Sequence, residues 1–87
     1  MNLSTNNFSR TTLTKEFQEF GGEKIRRSVI RYTYESKNDI FDIEIFNPVP
    51  TSWGSVKQLF RRNGSQVSIP HPIHNKIIEY FNLVNII

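Results

Sequence analysis

His71 and His74 stand three residues apart, with Pro72 and Ile73 between them. Two imidazoles at that spacing are half of a metal site or the base of a proton-transfer pair. A metal needs a third ligand, and proton transfer needs a nucleophile or a positioned acid. Glu79 is the nearest acid in the chain, but its spacing puts it on no shared site with the histidines. The pair therefore reads as polarity at a turn and a helix entry. Asp39, Asp42 and Glu44 form a second set that could do acid–base or metal work. Asp42 and Glu44 are two apart in a strand-like run, so they share one sheet face, read here as solvated. The chain has no cysteine, which removes thiolate nucleophiles, disulfides and zinc–thiolate sites together. Gly21-Gly22 has neither the Lys-Ser nor the preceding strand of a phosphate loop. No catalytic residue, metal or cofactor is assigned, and the expectation is a protein that is not an enzyme.

The cations carry more signal. Lys24, Arg26, Arg27 and Arg31 lie along one segment, and Lys57, Arg61 and Arg62 along another. Tyr32, Tyr34 and Trp53 are interleaved with them, as on surfaces where cations meet phosphate and rings stack on bases. Arg26, Arg27, Arg31, Lys57, Arg61 and Arg62 are accordingly the candidates for nucleic-acid contact. A hairpin register that exposes Arg31 also places it opposite Glu44 and buries Tyr32 and Tyr34. The chain ends in Leu83-Val84-Asn85-Ile86-Ile87, an apolar segment suited to its own core, a partner protein or a second copy in a homodimer. The leading expectation is a small non-enzymatic protein-binding module: an inhibitor, adaptor or accessory factor. Its interface is assigned to Arg27, Arg31, Glu44, Ile86 and Ile87. Nucleic-acid binding is the alternative.

These residues need elements to hold them. Residues 1–13 are rich in Ser, Thr and Asn and read as a flexible N-terminal tail, with one domain over 14–87. Phe17 and Phe20, three apart before Gly21-Gly22, predict a short helix over 14–20. Lys24–Glu35 and Asp39–Phe46 are β-branched and aromatic runs joined by the polar turn Ser36-Lys37-Asn38-Asp39, so 24–46 reads as a hairpin. Its register pairs Ile30 with Ile45, Tyr32 with Ile43 and Tyr34 with Phe41. On the other face it pairs Arg31 with Glu44 and Thr33 with Asp42. Ile25 and Val29 have the opposite parity, which suggests a bulge or a strand start near Val29.

Pro48 and Pro50 end this sheet segment. Trp53, Val56, Leu59 and Phe60 then recur at helical spacing, and a helix over 52–62 ending at Asn63-Gly64 follows. The competing reading makes Asn63-Gly64 a hairpin turn between two strands. Ser65–Ile69 reads as a strand, and Ile73–Leu83, with Ile73, Ile77, Tyr80, Phe81 and Val84 on one stripe, as a helix. The sum is α+β: a small antiparallel sheet built on the 24–46 hairpin, with helices packed on one face.

At 87 residues the chain has length for one modest core, and seven Phe supply much of its apolar area. The formal charge of +3 permits an acidic partner without requiring one. Alanine is absent while Asn, Ile, Lys and Phe are frequent, a composition common in AT-rich genomes of viruses and mobile elements. The first fourteen residues have no apolar stretch like that of a signal peptide, and no run is long enough to cross a bilayer. With cysteine absent as well, the expected location is the cytoplasm, away from membranes.

Overall fold

The structure is a computed structural model that describes residues 7–18, 21–50, 53–54 and 56–83. Five strands follow one another across an antiparallel sheet in chain order. They are β1 (Phe8–Gln18), β2 (Lys24–Glu35), β3 (Ile40–Phe46), β4 (Gln58–Arg62) and β5 (Ser65–Gln66). One helix, α1 (Pro72–Phe81), closes the described chain. The fold is mostly β, so α+β fits it only loosely, and among the described residues a single helix stands where several were expected.

The hairpin over 24–46 forms with the expected register, including Tyr32 opposite Ile43 and Arg31 opposite Glu44. Its turn is pinned by Ser36, whose N–H donates to the Asp39 carbonyl at 2.9 Å and whose Oγ accepts from the Asp39 N–H at 3.1 Å. No bulge interrupts β2. Its pairing with β1 runs unbroken from Lys24 to Tyr34. The parity change at Val29 has another cause, which is that the sheet buries apolar side chains on both faces.

The first face carries Tyr32, Phe41, Ile43 and Phe60 against Ile77 of α1, with Ile30, Ile45, Val67 and Phe81 packed around them. The second face carries a smaller cluster of Phe17, Val29 and Phe46, flanked by Ile25, Trp53 and Leu59. Phe17 meets Phe46 edge-on at 5.6 Å and Trp53 at 5.8 Å between ring centroids.

Two expected helices are strands instead. The segment expected as a helix over 14–20 is extended as far as Gln18, within β1, and its last two residues, including Phe20, lie outside the described residues. Thr11, Thr12 and Thr14 suit a pleated strand, and Phe17 serves the second cluster. Residues 8–13, expected in the tail, form the first half of that strand. Phe8 ties them to α1 by stacking on Tyr80 at 3.9 Å. The helix expected over 52–62 is likewise absent among the described residues: residues 58–62 are β4, paired with β3 from Ile45–Gln58 to Phe41–Arg62. Leu59 and Phe60 look helical in spacing because they fill different clusters on opposite faces. Asn63 and Gly64 have φ of 51° and 87°, the two positive values that a two-residue hairpin turn requires. The expected strand over 65–69 is confined to Ser65–Gln66.

The C-terminal helix forms over Pro72–Phe81 rather than as far as Leu83, with Tyr80 of its expected stripe exposed and Val84 outside the described residues, and it is capped at both ends. His71 Nδ1 accepts from the Ile73 N–H at 3.1 Å, and Pro72 occupies the first turn, where its missing donor costs nothing. Asn82 adopts the left-handed conformation at φ 57°, and Leu83 donates back to the Ile78 carbonyl at 2.9 Å.

Candidate functional site

Strand parity sorts the charged residues. Lys15 of β1, Arg27 and Arg31 of β2, Asp42 and Glu44 of β3 and Arg61 of β4 share the face opposite α1. Glu44 lies at their centre and is fully buried. Arg31 donates to its Oε2 from Nε at 3.0 Å and from Nη2 at 2.6 Å. Lys15 Nζ donates to Oε1 at 2.7 Å, and Arg61 Nη1 stands 3.0 Å from Oε2. One carboxylate thus draws three cations from three strands onto a sheet face that no described helix covers.

The electrostatics follow from that geometry. Burial alone would push the Glu44 pKa up, but the hydrogen bonds from Lys15, Arg31 and Arg61 outweigh it and hold the group at about 2. Asp42, two residues away, goes the other way. Burial raises its pKa more than Arg31 and Arg61 lower it. Its Oδ1 makes no hydrogen bond, and Arg61 Nη1 lies 3.7 Å off. Arg27 Nε is also buried without a partner. Lys15, Arg27, Arg31 and Arg61 share this face with the Asp42 and Glu44 carboxylates, so it is net positive. Arg31 and Lys15 keep about a third of their side-chain surface open, at 36% and 29%.

The expected site residues are divided by the fold. Arg27, Arg31 and Glu44 lie on this one face, while Ile86 and Ile87 lie outside the described residues. The six nucleic-acid candidates do not share a face. Arg27, Arg31 and Arg61 belong to the charged face, and Arg31 and Arg61 are engaged with Glu44. Arg26 and Arg62 have the parity of the α1 face. Arg62 binds Asp39 at 2.9 Å and lies 5.7 Å over the Phe41 ring. With Asn63, it holds the Asp39 carboxyl below its ordinary value. Lys57 is exposed just ahead of β4.

The two histidines have separate duties. His71 caps α1. His74 is fully buried, edge-on to Phe60 at 5.2 Å, with Nε2 2.9 Å from Gln58 Oε1. Burial lowers its pKa, and His71 nearby lowers it further against a raising contact from Asn75.

Sequence reasoning misses Lys15. Its segment reads as a helix, although the alternation Leu13, Lys15, Phe17 marks one strand face. Glu44 reads as solvated, whereas long cationic side chains from the flanking strands cover it.

In comparisons with known proteins, no family model, curated protein or solved structure matches this chain. No described helix is long and apolar enough to cross a membrane.

Proposed function

We propose that this chain is a small non-enzymatic protein-binding module that engages an acidic partner surface through the charged face of its sheet. One observation carries the reading. The face opposite α1 presents cations already ordered around Glu44, in excess over the carboxylates beside them. Holding arginines in place before association lowers the side-chain ordering cost of binding. The adjoining half-buried Trp53 adds an aromatic residue of the kind that anchors interfaces. An inhibitor, adaptor or accessory factor is the kind of protein that works through such a surface, and a cytoplasmic setting suits a chain without cysteine.

Titration of isotope-labelled protein with an acidic peptide, followed by amide and guanidinium NMR shifts, tests this. The expected shifts cluster at Lys15, Arg27, Arg31 and Arg61, and Arg27→Glu with Arg31→Glu abolishes them. Unchanged shifts across that face, with the peptide in large excess, would remove the proposal.

A second reading has its own support. β3 pairs with β2 only from Val29 onward, so Thr14–Gln18 and Lys24–Ser28 run on as a two-stranded ribbon. Among the described residues, Lys24 and Arg26 on this ribbon form no ion pair. A basic two-stranded ribbon fits a nucleic-acid major groove. Affinity for a DNA duplex that falls steeply between low and moderate salt, with shifts confined to Lys24 and Arg26, would favour this reading over the first.

A further inference from the structure

The outer edge of β1 is long, and no described strand pairs with it. It runs for 11 residues with no proline and no bulge, and β2 pairs with only one side of it. Natural sheets rarely leave such an edge uncovered, because its free N–H and C=O groups template further strands. The direction of those groups can be read from the ladder. Asn7 offers its carbonyl to the Glu35 N–H at 2.9 Å, so the odd positions of β1 bond inward. Phe8, Arg10, Thr12, Thr14, Glu16 and Gln18 therefore point their backbone groups outward.

We infer that this edge pairs with the same edge of a second copy of the chain, antiparallel about a twofold axis at Leu13. Three features single out that partner and register. Full overlap of the strand with its copy puts Phe8 opposite the partner's Gln18 and Thr12 opposite the partner's Thr14, so every outward backbone group is satisfied. The same overlap sets Arg10 opposite the partner's Glu16, and symmetry repeats that pair at the other end. Sliding the register by two residues in either direction loses both ion pairs and shortens the ladder. Within one chain Glu16 faces Arg26 across the ladder, yet no ion pair joins them. Arg10 lies over the Tyr32 ring, 6.0 Å from its centroid, and forms no ion pair among the described residues. Leu13, half-buried in the single chain, meets its own copy on the axis. The interface is isologous and closes after two subunits, joining the two sheets into one. It uses backbone groups at the edge, and its ion pairs are between Arg10 and Glu16 rather than at Glu44.

Analytical ultracentrifugation of the full chain, across a wide concentration range, supplies the first test. The expected particle has twice the 10.2 kDa chain mass. Thr12→Pro removes an outward N–H without touching the inward ladder and is expected to shift the population to monomer. Glu16→Arg is expected to weaken the dimer at least about tenfold by setting like charges opposite each other. Arg10→Glu combined with Glu16→Arg restores it. If Thr12→Pro fails to fold, the charge pair decides alone. Hydrogen exchange adds a site-specific readout, with amides of Arg10, Thr12, Thr14 and Glu16 slowed in the dimer. A chain that stays monomeric throughout, or a dimer indifferent to both the charge reversal and its swap, overturns the inference.

Discussion

Glu44 is the residue on which the charged face depends. Its folded pKa of about 2 lies below the ordinary 4.5, so the folded chain resists protonating it. The stabilisation is whole above pH 4.5 and disappears as pH falls through about 2. That span amounts to roughly 3 kcal/mol. Glu44→Ala is expected to cost about 3–5 kcal/mol at neutral pH, because Lys15, Arg31 and Arg61 are left facing one another. Arg31→Ala is expected to cost less, about 1–2 kcal/mol, since two cations still serve the carboxylate. Urea unfolding of the two variants beside the native chain measures both. Asp42 should behave oppositely. Its raised pKa means that the charged form is disfavoured in the fold, so Asp42→Asn is expected to increase stability at pH 7. His74 has its own window. Its folded pKa lies below 6.5, so the unfolded chain takes the proton first and stability declines as pH drops under that value. Unfolding free energies measured at several values between about pH 7 and pH 5 should slope in the native chain and flatten in His74→Leu.

At the scale of elements, the turns and caps are the sensitive points. Gly64 holds φ +87° with nothing within 4 Å of the place a Cβ would occupy, so Gly64→Ala meets backbone strain without a clash. A loss of about 1 kcal/mol is expected, read as a shift of the urea midpoint at constant slope. α1 ends at Asn82 in the left-handed region, where glycine has no Cβ penalty, so Asn82→Gly is expected to gain roughly 0.3–1 kcal/mol. The same elements explain which readings of the sequence failed. Over 30–35 and 41–45 apolar and polar residues alternate in type, so β3 opposite β2 is legible even though Asp42 and Glu44, the polar members of β3, are buried. β1 and β4 contribute to both clusters, so apolar residues at Leu59 and Phe60 fall side by side. In one dimension that pattern is indistinguishable from a helical stripe.

Across the whole molecule, the two apolar clusters share β2 and β3, with Val29 on one face and Ile30 on the other. Neither can be lost while the other keeps its strands. Unfolding is therefore expected to be a single cooperative step, with the fluorescence of Trp53 and the far-ultraviolet circular dichroism changing together. An earlier fluorescence transition would mean that the Phe17–Phe46–Trp53 cluster melts independently. The chain itself carried the hairpin over 24–46, its register, the C-terminal helix and the Arg31–Glu44 pairing, because each depends on local periodicity and a nearby turn. Lys15 and Arg61 joining Glu44, the strand identity of 8–18 and 58–62, and the burial of Glu44 and His74 required the assembled sheet. Those features arise where strands distant in the chain lie side by side, and a carboxylate read as solvated becomes buried only when cations from neighbouring strands close over it.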